Sequence, residues 1–196
     1  RVNINTNGTN LQCVADLDGY MVNLSRHHYQ CDKIESVFGK QCDDILLPSK
    51  TVMQCVLMRG FVDEVDSMKK YMDHFLPLGA IGFSFRGLTR LDAGKVYSKE
   101  IDWTAAHETD AFAISNAVAD DSDFQFVQQK IGDHYWFEIW KYRGVPMRIT
   151  YSNFAWLREV ETKERASGNW FSRATIILPS GKVFAGWTYD LNEIHD

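Results

Sequence analysis

Positive charge is in short supply: 21 lysines and arginines face 26 aspartates and glutamates, a net charge of −5 at pH 7. Nucleic-acid backbones are held by basic surfaces, so this balance excludes nucleic acid as the expected partner. Long apolar runs are missing too, and no stretch approaches the roughly 20 residues of a membrane-spanning helix. Internal repeats, heptads and low-complexity tracts are absent, which leaves out solenoids and coiled coils. Cysteine stops early. Cys13, Cys31, Cys42 and Cys55 are the only four, and none stands in a C-x-x-C pair. An even, clustered set without that spacing reads as two disulfides rather than zinc ligands, with three connectivities open. Disulfides in turn imply an oxidising compartment, so the expected address is secreted or periplasmic. No metal and no cofactor is expected.

What is present is ordinary globular material: 45% hydrophobic and 24% charged residues over 196 positions, enough for a single domain spanning 1–196. Its most aromatic run is His134-Tyr-Trp-Phe-Glu-Ile-Trp-Lys-Tyr142. Side chains alternate faces along a strand, which puts His134, Trp136, Glu138, Trp140 and Tyr142 together. Upstream, Phe124 to Ile131 reads as a second strand joined through a two-residue turn at Gly132-Asp133. That turn pairs Ile131 with His134, Gln129 with Trp136 and Val127 with Glu138. Downstream, Arg143-Gly144 turns into Val145 to Tyr151, so that Met147 faces Trp140, Ile149 faces Glu138 and Tyr151 faces Trp136. Glu138 then lies among apolar neighbours, where a carboxylate is either paired or shifted in pKa.

Elsewhere, Asp18-Gly19 signals a hairpin between Leu11–Leu17 and Tyr20–Leu24. Asp32 with Glu35 marks a short helix from Lys33 to Phe38. Apolar residues from Val52 to Leu76 recur at helical spacing after Pro48-Ser49, with Gly60 dividing the run. Ala80 to Arg86 reads as a strand, residues 87 to 101 as irregular, and Trp103 to Val118 as an Ala-rich helix. Two further strands, Trp170–Leu178 and Val183–Tyr189, meet across Pro179 to Lys182. The fold class expected is α+β: an antiparallel β-meander in the C-terminal part, helices packed on one face, and a disulfide-bearing N-terminal segment.

Catalytic motifs are incomplete. His107-Glu-Thr-Asp110 lacks the second histidine of a zinc-peptidase helix, because position 111 is Ala. Gly82-Phe-Ser84 begins like a nucleophile elbow but carries Arg86 where glycine is needed. Asp16-Leu-Asp18-Gly19 resembles the nucleophile motif of haloacid dehalogenase-type phosphatases. Tyr20 stands where that family has Thr, and the expected hairpins conflict with the parallel sheet that the resemblance implies.

The reading that results is a secreted or periplasmic module that binds another protein, as an inhibitor or immunity-type partner. Trp136, Glu138, Trp140 and His134 are its candidate binding residues. The alternative is a hydrolase-like enzyme using Glu138, His134 and His107.

Overall fold

The computed structural model describes residues 2–8, 11, 20–38, 47–88, 98–132, 135–152, 159–160, 162–163, 166–167, 175–177 and 183–185. The chain divides into two compact units, Arg1–Ser152 and Asn153–Asp196. In the first lie strands β1 (Val2–Thr6), β2 (Tyr20–Ser25), β3 (Thr51–Leu57), β4 (Ala80–Gly87), β5 (Phe124–Ile131), β6 (Tyr135–Tyr142) and β7 (Val145–Ser152). Its helices are α1 (Cys31–Phe38), α2 (Val65–Phe75), α3 (Ser98–His107) and α4 (Ala111–Ala119). In the second, β8 (Thr175–Ile177) pairs antiparallel with β9 (Val183–Ala185), the pairing expected across Pro179 to Lys182.

The seven strands form one sheet in the order β1-β2-β3-β4-β7-β6-β5. The antiparallel meander is present but small: β5, β6 and β7 hold the only antiparallel pairings of that sheet. The other four pairings, from β1 through β4 to β7, are parallel. The fold is therefore mixed α/β, with a mostly parallel sheet in place of the expected meander. Both edges of β2 are taken by parallel neighbours, where the hairpin at Asp18-Gly19 required an antiparallel one. Of the hairpins set against the phosphatase-like motif, the one at Asp18-Gly19 is replaced by parallel pairing, while the β5–β7 meander stays antiparallel. Asp16 and Asp18 themselves lie outside the described residues.

Helical spacing misleads between Val52 and Val56. Thr51, Met53, Cys55 and Leu57 are buried and the residues between them half-buried, a period of two that makes this segment β3. The true helix begins only at Val65, after the chain turns at Gly60 with φ +80°. Glu64 and Ser67 form its capping box. The Ala-rich segment is likewise two helices. Asp110 accepts the amide protons of Phe112 and Ala113 at 2.9 and 3.0 Å, so it caps α4 and ends the incomplete zinc motif between helices.

Strands that follow one another in both sequence and space, with right-handed crossovers, send their connections over the same face. The core obeys this. Met68, Tyr71, Met72 and Phe75 of α2, with Ala111, Ile114 and Val118 of α4, pack on Met53, Phe83, Phe85, Met147 and Ile149. At its centre the buried Tyr71 donates to the Arg26 carbonyl at 2.7 Å. Its ring meets Phe75 and Phe85 edge-on, at 4.8 and 5.6 Å. Lys69 bridges α2 to the loop before β5 through Asp121 at 2.5 Å and Asp123 at 2.6 Å. Described side chains on the opposite sheet face include Asn3, Asn5 and Arg86, all exposed.

The two-disulfide framework needs correction. Cys55 is a free, buried thiol on β3, pushed above its usual pKa by burial. Three cysteines remain, enough for one bridge and not two. Cys31 is disulfide-bonded, and no bridge joins two described cysteines, since Cys13 and Cys42 lie outside the described residues.

Candidate functional site

The aromatic face of β6 turns inward. Trp136, Glu138 and Trp140 are all buried, with Glu138 only 8% exposed. The β6–β7 register is the expected one: Trp140 faces Met147, Glu138 faces Ile149 and Trp136 faces Tyr151. Arg143 and Gly144 make this tight turn at φ 49° and 81°. Arg143 is held there by Asp73 at 2.8 Å. The β5–β6 register differs from expectation by two residues at Gln129 and Ile131, and by one beyond the bulge, where Phe126 replaces Gln125 opposite Trp140. Ile131 pairs with Trp136, and Gly132 donates to the Tyr135 carbonyl at 2.8 Å, so the chain reverses one position later than expected. A shift of two preserves the face and changes the neighbour, bringing Gln129 opposite Glu138.

That shift supplies a hydrogen-bond partner. Gln129 Nε2 donates to Glu138 Oε1 at 3.0 Å, while Trp140 Nε1 at 2.9 Å and Ser115 Oγ both donate to Oε2. Glu138 is thus a buried carboxylate satisfied by three neutral donors from β5, β6 and α4. It joins layers of the core and lines neither described cavity. His107 is occupied elsewhere, its ring stacked on Trp103 at 4.2 Å and its Nδ1 2.8 Å from the Trp103 carbonyl. No hydrogen bond joins it to Glu138. His134 lies outside the described residues.

Apolar exposure sits one layer further out. Among the described residues, four of the five exposed large hydrophobics are Phe112 on α4 and Phe126, Val127 and Ile131 on β5. Phe112 stacks on Trp136 at 4.7 Å and Phe126 meets Trp140 edge-on at 5.0 Å. Ile131, paired with Trp136, is 73% exposed. The tryptophans are the floor of this shoulder and not its contact surface. β5 is also an edge strand, so one row of its backbone donors and acceptors has no strand partner among the described residues.

The opposite sheet face carries the second candidate. Strand register aligns Ser25, Gln54, Ser84 and Arg148 in one row across β2, β3, β4 and β7. One step toward the carboxyl ends of these strands, Val56, Arg86 and Thr150 form the next row. A cavity of about 140 Å³ includes His27 and Arg86 in its wall, and another of about 410 Å³ includes Arg148. They share Gln54 and Ser84. The sequence signal for this site was the alternation of β4 that brings Ser84 and Arg86 to one face. Nothing local announced that β7 would bring Arg148 beside them.

Histidines at the end of β2 make a pH prediction. His27 Nδ1 accepts the Val56 amide proton at 3.1 Å, and burial holds its pKa below the usual value. The buried His28 is lowered too, first by burial and then by Lys33, against the pull of Asp32. The unfolded chain protonates these rings more readily than the fold. Their stabilising neutral forms are therefore complete above a pH of about 6.5, and that stability is lost as pH falls through the lowered folded values. Each unit of depression is worth about 1.4 kcal/mol. Urea midpoints should fall from about pH 6.5 to 5.5, above the usual carboxylate range, and a flat profile there rules the effect out. Compared with known proteins, the chain matches no family model, no curated protein and no solved structure.

Proposed function

We propose that this chain is a binding module that recognises another polypeptide through the β5 edge and its apolar shoulder. The observation that carries the reading is the exposure of Phe112, Phe126, Val127 and Ile131 together beside an edge strand. Natural edge strands are ordinarily blunted by charge, proline or bulges. β5 has a bulge near Val127 and a lysine at 130, yet keeps large apolar groups outside. An extended segment of a partner adds its backbone to such an edge, while apolar side chains beside it give contact area. A net charge of −5 favours a basic partner over an acidic one. An inhibitor or immunity-type role in a secreted or periplasmic setting belongs to the same proposal.

The test is a comparison of variants. Phe126→Lys combined with Ile131→Lys places charge on exposed positions and should leave thermal stability within about 0.5 kcal/mol per site. A polypeptide partner captured from the source organism should bind this variant at least about tenfold more weakly. Amide exchange across Phe124 to Ile131 should slow when the partner is bound to the parent chain. Equal affinity for both chains, or unchanged exchange in β5, would sink the reading. So would a β5-dependent dimer in sedimentation, which assigns the edge to a second copy of this chain.

A further inference from the structure

The face of the parallel sheet opposite the core holds two cations without a counter-charge among the described residues. Arg148 is half-buried and donates from Nη2 to Ser84 Oγ at 3.3 Å. Arg86 is exposed one row further on, and neither arginine makes an ion pair with a described residue. Burial, and then the charge of Arg86, hold Arg148 below its ordinary pKa. Among the described residues no aspartate or glutamate lines either cavity, although acidic residues outnumber basic ones in the chain by 26 to 21. Two guanidinium groups that repel one another, with no acid among the described lining residues, are an electrostatic cost that an anion would relieve.

A second observation lies beside them. Thr150, the cross-strand neighbour of Arg86, has its hydroxyl buried without a hydrogen-bond partner. Buried polar groups are ordinarily satisfied, so an orphan here marks incomplete polar chemistry at this end of the sheet. Arg86 and Thr150 lie toward the carboxyl ends of β4 and β7, and the larger cavity extends from there over the amino-terminal halves of the same strands.

The walls indicate the kind of molecule. Away from the arginines, the larger cavity runs over Val52, Ile81, Pro146 and Ile139. Its volume of about 410 Å³ suits a small organic body and not a bare ion. Gly82 keeps the floor low, since a Cβ there would stand 3.3 Å from the Pro146 carbonyl oxygen. Two unbalanced positive charges match a phosphate monoester, which carries about −1.5 to −2 near neutrality, better than a single carboxylate. Guanidinium forks bind phosphate oxygens through paired N–H donors. We infer that this face binds a small organic phosphate monoester, its phosphate held by Arg86 and Arg148 and its uncharged body laid over Val52 and Pro146. The inference is independent of the β5 edge and uses other residues.

Calorimetric titration of the full chain with phenyl phosphate, inorganic phosphate and benzoate tests it. Phenyl phosphate is expected to bind at least about tenfold more tightly than either of the others. Arg86→Gln and Arg148→Gln should each weaken it by about tenfold or more, while Lys163→Gln should leave it unchanged. Arg86 is exposed, so its variant tests the site even if Arg148→Gln melts early. Benzoate binding as well as phenyl phosphate would overturn the two-charge argument. Inorganic phosphate binding equally well would overturn the organic ester. An Arg86→Gln variant with unchanged affinity, or a parent chain that binds no phosphate at about 10 mM, ends the inference altogether.

Discussion

Tyr71→Ala is expected to lower the free energy of unfolding by about 4 kcal/mol, within the range of roughly 3–5 kcal/mol found for large aromatic truncations in cores. Tyr71 has no solvent exposure and touches Phe75, Phe83 and Phe85, so one change removes contacts that bind α2 to β4. The cavity left behind adds to the lost transfer energy, because rings held on a sheet cannot collapse into it. Tyr71→Phe separates the two roles of the residue. It keeps the ring and removes the hydroxyl that donates to the Arg26 carbonyl at 2.7 Å, for a cost of about 1–2 kcal/mol. Urea unfolding of the three chains checks both values. A loss under about 1 kcal/mol for Tyr71→Ala would mean that α2 does not dock on this sheet as described.

Glu138→Ala should also be costly, about 3–5 kcal/mol, while Glu138→Gln should cost only about 1 kcal/mol. The difference follows from where the three donors sit. Trp140 and Ser115 both donate to Oε2, and Gln129 alone donates to Oε1. A glutamine can keep its oxygen toward Trp140 and Ser115 and turn its amide nitrogen to Gln129. The Gln129 amide then rotates to offer its own oxygen, and every group stays satisfied. Only the extra strength of hydrogen bonds to a charged acceptor is lost. Alanine has no such escape, leaving the Trp140 N–H in the interior without an acceptor. A salt-bridge role would make the two variants nearly equal in cost, and a recognition role would weaken partner binding in Glu138→Gln. Chemical unfolding of both, with partner affinity measured for Glu138→Gln, distinguishes these outcomes. Gln129→Leu should raise the cost of Glu138→Gln, because the rotating amide is then gone.

Local pattern was informative where neighbours in sequence are neighbours in space. Alternation across Tyr135 to Tyr142, followed by a tight turn at Arg143-Gly144, determined which residues of β6 and β7 share a face and which face one another. The apolar neighbours of Glu138 followed from that register, and its need for partners followed from its chemistry. The identity of those partners did not, because Ser115 comes from a helix 23 residues away and Gln129 from a register set by loop length. The face offered as a contact surface places Trp136, Glu138 and Trp140 in the core. Alternation shows that side chains share a face and cannot show which side a helix will cover.

By itself, then, the sequence determined the strands of the β5–β7 meander, the face that Glu138 shares with Trp136 and Trp140, and the absence of a complete catalytic motif. Each depends on periods of two or on short spacings that any chain segment carries with it. Only the tertiary structure decided that β1 to β4 run parallel, that Thr51 to Leu57 is a strand, and that Arg86 and Arg148 stand at neighbouring positions of adjacent strands. Parallel pairing joins strands through long crossovers, so its direction leaves no mark in any local window. The two arginines are 62 positions apart in the chain and adjacent only because β7 inserts beside β4.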